Sequence, residues 1–363
     1  MPRLRVGAIR DAGGRRADPL GRPYHRGFRA DRVHADRRGI AGEPAHRSPR
    51  RLRAGLRVRR GVQGGSRVSL AGSFLFGVTV RPPAVSGRFY PSDPVELRAT
   101  VATLLADARM SRSPSPHAER GAGGEVPALA VVAPHAGYIY SGPTAARVFA
   151  RVTIPGLVVI LAPNHTGICA ARSGVSLWDA GAFRTPLGDV PIDAEASTAL
   201  RELSQGVVES DHDAHRAEHA VEVELPFLQL LRADVRIVPL VIAWDAWDRA
   251  RLLGEMLARL VQAAGEPVLL LASSDLNHYE PAEVSEQKDA RALDAMRGLD
   301  GAELLARCKR ERISMCGRGP AAVVLAAAHA LGGTRADVVD YRHSGWVSGD
   351  NARVVGYAGV VIS

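Results

Sequence analysis

The chain has 363 residues, 46% of them hydrophobic, enough for a packed core that needs no staples. Its net charge of +9 is unevenly placed: residues 1–80 carry 19 Arg, no Lys and five acidic residues, a net of +14, which leaves 28 basic against 33 acidic residues, −5, over 81–363. The body is therefore mildly acidic and lacks a basic stripe with interleaved aromatics, which argues against a folded nucleic-acid-binding surface.

Arg (45) outnumbers Lys (2) so heavily that codon bias explains it better than phosphate recognition. The three cysteines, Cys169, Cys308 and Cys316, are odd in number and form no CxxC pair, so neither a disulfide framework nor a Cys-rich zinc site is indicated, and a reducing cytoplasm fits best.

Residues 1–67 hold only 11 Leu, Ile, Val or Phe and combine high charge with frequent Gly and Pro, so residues 1–78 are expected to form a disordered Arg-rich extension. Three readings remain open for it: translation from a misplaced upstream start, a basic tail, or a targeting segment. The apolar run from Val68 to Val80 is interrupted by Gly72 and Gly77 and is too short to span a bilayer, so no membrane association is expected.

Residues 79–363 are expected to form one α/β domain. Residues 111–124, SRSPSPHAERGAGG, are expected to form a polar loop. Beyond it Leu129–Ala133, Leu157–Ala162, Val235–Ile242, Val268–Ala272, Val338–Tyr341 and Val354–Ile362 read as buried strands. Between them 143–151, 194–204, 219–232, 247–264, 282–298 and 318–331 read as helices; in 247–264 the apolar face is expected to comprise Leu252, Leu253, Met256, Leu257, Leu260 and Val261. Strands alternating with helices predict a mixed, largely parallel central sheet with helices on both faces.

In such sheets ligands bind beyond the carboxyl ends of the strands. ALAVVAPHAGY delivers His135 there, LVVILAPNHTG delivers Asn164 and His165, and VLLLASSDLNHYE delivers Ser273, Ser274, Asp275, Asn277 and His278. A single histidine after a strand is more often a hydrogen-bonded loop residue, but three strand ends each followed by one suggest a convergent metal or acid/base site. Cys316 lies just before an apolar helix whose positive end favours thiolate, although a small buried hydrophobe is an equal reading. His219 and Glu222, at i and i+3 of one expected helix, could touch the same ligand or form a surface pair.

The phrases RPPAVSGRFYP (81–91), APHAGYIYSG (133–142), LAPNHTG (161–167), FRTPLGDV (183–190), EHAVEVELPFL (218–228), SSDLNHY (273–279), MCGRGP (315–320) and GYAGVV (356–361) together resemble the Memo family, called AmmeMemoRadiSam system protein B in prokaryotes. The resemblance runs in order from residue 81 to the C-terminus. It implies a fold similar to the class III extradiol dioxygenases and a metal held by His135, His165 and Cys316, with Asp275 and His278 elsewhere in the pocket. His278 is then similar to the dioxygenase acid/base histidine, and Asp275 is expected either to orient it or to support the site from behind. Replacing carboxylate by thiolate softens the site, so Fe(II) is expected first, Cu(I) second and Zn(II) third.

The leading expectation is metal-dependent redox or oxygenase-like chemistry on a small substrate. The rivals are a metal-free hydrolase with Cys316 as nucleophile and a non-catalytic module that binds a peptide or protein in the same pocket. The family name implies a pathway shared with radical-SAM and AMMECR-type proteins.

Overall fold

In a computed structural model of the chain, the residues described are 79–110 and 127–363. The expectations for residues 1–78 and for the loop 111–124 concern residues outside these ranges.

The first part of the described chain comprises β1 (Val80–Arg81), α1 (Pro94–Met110), β2 (Ala130–Ala133), α2 (Tyr138–Phe149) and β3 (Leu157–Pro163). There follow β4 (Val175–Leu177), β5 (Ala182–Thr185), β6 (Gly188–Pro191), α3 (Ala194–Ser204), β7 (Glu209–Ser210) and α4 (Asp213–Arg216). A 3-10 turn (Glu222–Glu224) leads into α5 (Leu225–Leu231), β8 (Arg236–Ile242), α6 (Trp247–Ala263) and β9 (Val268–Ser273). The chain ends with β10 (His278–Glu280), α7 (Ala282–Arg297), α8 (Gly301–Arg310), α9 (Arg318–Ala330), β11 (Ala336–His343), α10 (Gly345–Ser348) and β12 (Val354–Ile362).

The centre of the large sheet runs β2, β9, β3, β8, all parallel. Antiparallel strands extend it on both sides, β12 beside β2 and β4 beside β8. A separate small sheet has the order β1, β5, β6.

Period-two alternation divides the central strands between two cores. Leu157, Val159 and Leu161 of β3 pack with α6 and α9 on one face, while Val158, Ile160 and Ala162 pack with α2 and α5 on the other. Every residue of β3 is buried, which is why these strands read as continuous apolar runs rather than alternating ones. Each large aliphatic side chain so buried contributes about 1.5 to 3 kcal/mol.

The six expected strands correspond to β2, β3, β8, β9, β11 and β12. The helix expected at 143–151 begins five residues earlier, at Tyr138, so Pro143 lies inside it rather than at its start. The helix expected over 219–232 is a 3-10 turn and the short α5. The buried face of α6 is Ala250, Leu253, Gly254, Leu257, Ala258 and Leu260, and Leu252 is exposed, a correction to the expected stripe. The shift follows from Gly254: a Cβ there would stand 2.7 Å from Ala326 Cβ of α9, so the closest helix contact centres on that glycine.

No helix among the described residues is long and apolar enough to cross a membrane.

Candidate metal centre

The register of β2 against β9 pairs Ala133 with Ser273 and so brings His135 level with Asp275 just beyond the strand ends. Asp275 Oδ1 accepts the His135 backbone N–H at 2.9 Å. On the other side of β9, β3 ends at Pro163 and delivers His165 to the same carboxyl edge. Cys316 reaches this edge from the chain entering α9. There Gly317 is pressed so closely on β9 that a Cβ would lie 2.5 Å from the Ser273 carbonyl oxygen, and its N–H donates to Ser274 Oγ at 2.9 Å.

Three ligand atoms converge as a result. Those of His135, His165 and Cys316 all lie within 4.8 Å of one another, and Cys316 Sγ is 3.3 Å from His135 Nε2. The Asp275 backbone N–H points at the sulfur, 3.2 Å away. Both imidazoles are held from behind: His135 Nδ1 lies 2.8 Å from Ser273 Oγ, and His165 Nδ1 lies 2.9 Å from Glu218 Oε1. The donor set fits a metal ion. Bonds of about 2.0 Å to nitrogen and about 2.3 Å to sulfur put two ligands of one ion roughly 3.2 to 3.6 Å apart, and metal-binding imidazoles characteristically donate the other ring N–H to a carboxylate, carbonyl or water, a place taken here by Glu218 and by the Ser273 hydroxyl.

A second set, His165, Glu218 and His219, also falls within 4.8 Å. Its carboxylate is already engaged at both oxygens: Oε2 accepts the His165 N–H at 2.7 Å, and Oε1 accepts the N–H groups of His219 and Ala220 besides the imidazole. Glu218 therefore supports the first set rather than forming another.

Electrostatics differ sharply between the two imidazoles. Burial holds the His135 imidazole well below its usual range, and the neighbouring His165, His219 and His278 push it further down. Burial alone would depress His165 too, but hydrogen bonds to Cys316 and Glu218 outweigh it and raise its pKa to about 10. Glu218 shows the complement: burial would raise it, yet its contacts with His165 and His219 hold it down at about 2.

The remaining expected site residues are placed as follows. His219 is in the pocket, its ring stacked on His165 with centroids 4.6 Å apart and 5.2 Å from His135. Glu222 is not, which corrects the expectation. It is fully buried, and its carboxylate takes the Arg81 guanidinium, the N–H groups of Ala84 and Val85, and the Tyr90 hydroxyl. With no helix over 219–222, the two residues do not share a face.

Asn164 borders a cavity of about 410 Å³ that also touches Cys316, Trp244 and Arg318. Its amide is committed to the turn, donating to the Ile168 carbonyl and accepting from Thr166 Oγ1 and the Gly167 N–H.

His278 lies near enough to bear on the protonation of His135, with its Nδ1 3.0 Å from the Ser314 carbonyl. The next residue, Tyr279, adopts φ 63°, a strained conformation for a bulky side chain, at the irregularity where β10 pairs with β12. Asp275 is not the orienting partner of His278, a second correction. One oxygen holds the His135 main chain and the other, Oδ2, is buried without a hydrogen bond. Burial raises the Asp275 carboxyl to about 7.

Glu218 and Glu224, which contacts Ser273, were missed from sequence. Glu218 carried a signal: it is a carboxylate next to His219 in the same phrase, EHAVEVELPFL.

A sequence profile described as Memo-like protein matches residues 81–361. A MEMO1 family protein of Methanopyrus kandleri is 41% identical over 285 residues, covering 77% of this chain and 98% of the relative. Similar proteins of the same description occur in Methanothermobacter thermautotrophicus, 38% identical over 282 residues (77% and 99%), and in Aquifex aeolicus, 39% identical over 283 residues (78% and 98%).

Proposed function

The chain belongs to the family of Memo-like proteins, and from that premise we propose that it is a metal-dependent protein of redox or oxygenase-like chemistry, with His135, His165 and Cys316 as the metal's ligands. Its mixed sheet flanked by helices is the extradiol dioxygenase-like fold of that family. The observation that carries the reading is the pairing of each imidazole with a rear anchor, Ser273 or Glu218, so that both rings present their other nitrogen toward one thiol.

Fe(II) is the first choice, Cu(I) the second and Zn(II) the third, since thiolate beside two imidazoles accepts all three. When bound, iron or copper would supply electron transfer to or from a small substrate. The residues around it set the stage. Asp275 fixes the His135 main chain and aims its own N–H at the sulfur. The Ser314 carbonyl accepts the Nδ1–H of His278, leaving the tautomer whose Nε2 can take a proton from a substrate. The cavity beside Cys316 gives that substrate a place.

The test is anaerobic purification followed by metal analysis of the wild type and Cys316→Ser. About one iron or copper per chain in the wild type, lost in the variant, is expected; equal metal in both would remove the sulfur from the ligand set.

A second reading has one observation in its favour. The Glu218–His165 hydrogen bond orients an imidazole toward Cys316, as in a metal-free thiol hydrolase. Rapid stoichiometric alkylation of Cys316 that added metal does not block would support it.

A further inference from the structure

Behind His135, Ser273 Oγ has three polar neighbours: His135 Nδ1 at 2.8 Å, the Ala220 carbonyl oxygen at 2.8 Å and Glu224 Oε1 at 2.7 Å. Three hydrogen bonds need three protons. The hydroxyl supplies one, and the carbonyl can only accept. If the hydroxyl donates to either His135 or Glu224, the Ala220 contact has two oxygens facing each other with no proton between them. Only one assignment satisfies all three contacts: Ser273 donates to Ala220, and both His135 Nδ1–H and a protonated Glu224 donate to Ser273.

We propose that Glu224 is a positioning residue, kept as a neutral acid, whose hydrogen bond to Ser273 locks His135 in the tautomer with a proton on Nδ1 and the Nε2 lone pair toward Cys316. The inference rests on the metal-site reading for its consequence, though not for the proton count. The surroundings agree. Glu224 is fully buried, its Oε2 has no hydrogen-bond partner, and no cationic side chain among the described residues pairs with it. Another carboxyl, Asp275, acts on it. Burial raises the Glu224 carboxyl well above its usual range, outweighing the opposing effect of the Ser273 contact, and Asp275 adds to the rise. An ionised carboxylate here would face an uncompensated desolvation cost.

The role differs from that of Glu218. Glu218 acts on its imidazole directly and as an anion, whereas Glu224 acts through a hydroxyl and without charge. An amide can replace a neutral acid as a donor; it cannot replace an anion.

The experiment uses the full chain with Glu224→Gln, Glu224→Leu and Ser273→Ala. In the metal-free wild type at pH 7, difference infrared against Glu224→Gln should show a protonated-carboxyl C=O band that the variant lacks. Nitrogen NMR should show a neutral His135 protonated at Nδ1, with that preference lost in Ser273→Ala. Fe(II) affinity by anaerobic equilibrium dialysis should stay within about threefold of wild type in Glu224→Gln. It should fall about 10- to 100-fold in Glu224→Leu and Ser273→Ala, as losses behind a metal ligand typically do.

Absence of the carboxyl band, or a Glu224→Gln affinity as low as that of Glu224→Leu, overturns the proposal. If the wild type binds no Fe(II) while the band and the tautomer are present, the metal reading fails and the assignment of Glu224 stands.

Discussion

Glu218 grips His165 twice, accepting its ring Nδ1–H at 2.9 Å and its backbone N–H at 2.7 Å with the two oxygens of one carboxylate. Both the position and the rotation of the ring are therefore set by a residue 53 positions away in sequence. Glu218→Gln keeps the size but turns one acceptor into a donor that faces N–H groups. Metal affinity should fall about 10- to 100-fold, read by competition with a chromophoric chelator. An affinity within threefold of wild type would falsify the idea that Glu218 supports the centre.

The same contact predicts a pH dependence. In the metal-free protein His165 holds its proton up to about pH 10, and a metal ion must displace that proton to bind. Binding therefore releases protons at neutral pH. Affinity should rise with pH, by about tenfold per unit for each proton displaced, and should weaken on acidification. Isothermal titrations between pH 6.5 and 8.5 in buffers of different ionisation enthalpy would measure the release directly. A flat profile would mean that His165 is not a ligand.

Much of the candidate centre was legible because its residues sit where topology is readable. His135 and His165 follow continuous apolar strands, and Cys316 precedes an apolar helix, so each announces its place at one edge of the sheet. What stayed hidden depends on contacts made across the fold. The partners of Glu222 lie some 130 to 140 residues away, at Arg81 and Tyr90, so a pair that looked helical and ligand-facing proved to be half structural. The helix expected from residue 143 extends back to Tyr138, and Tyr138 is anchored by its N–H donating to the Phe89 carbonyl, a contact made across the fold. The helix α1 buries only Leu97, Val101 and Leu105, too narrow a stripe to stand out beside the helices packed against the large sheet.

Arg81 and Glu222 are both fully buried and paired, so removing either strands a charge. Glu222→Leu or Arg81→Met alone should destabilise the protein by about 3 to 5 kcal/mol. The double variant should lose less than the sum, because no lone charge remains. Urea unfolding of the four proteins gives the coupling. Strict additivity would show that the two groups do not act as a pair.

Among the described residues, Cys316 is the one cysteine in hydrogen-bonding distance of an imidazole. Cys308 packs in the core with its thiol pushed up to about 12 by burial, and Cys169 touches the Ala171 carbonyl and Ser176 Oγ. Cys316→Ser should weaken Fe(II) and Cu(I) at least about 10- to 100-fold, Cu(I) more, because it gains most from sulfur. Cys316→Asp should recover part of the Fe(II) affinity and little of the Cu(I), since it recreates a face of two imidazoles and a carboxylate, the set that suits non-haem iron. Cys169→Ser should leave both metals bound. Cys308→Ser should do so too, although a hydroxyl in the core will lower the melting temperature. Measured by anaerobic competition titration, a Cys316→Asp variant that holds Cu(I) as tightly as wild type would show that sulfur does not select the metal. Undiminished binding of both metals by Cys316→Ser would leave the thiol to its second reading, as a nucleophile oriented by His165 and Glu218.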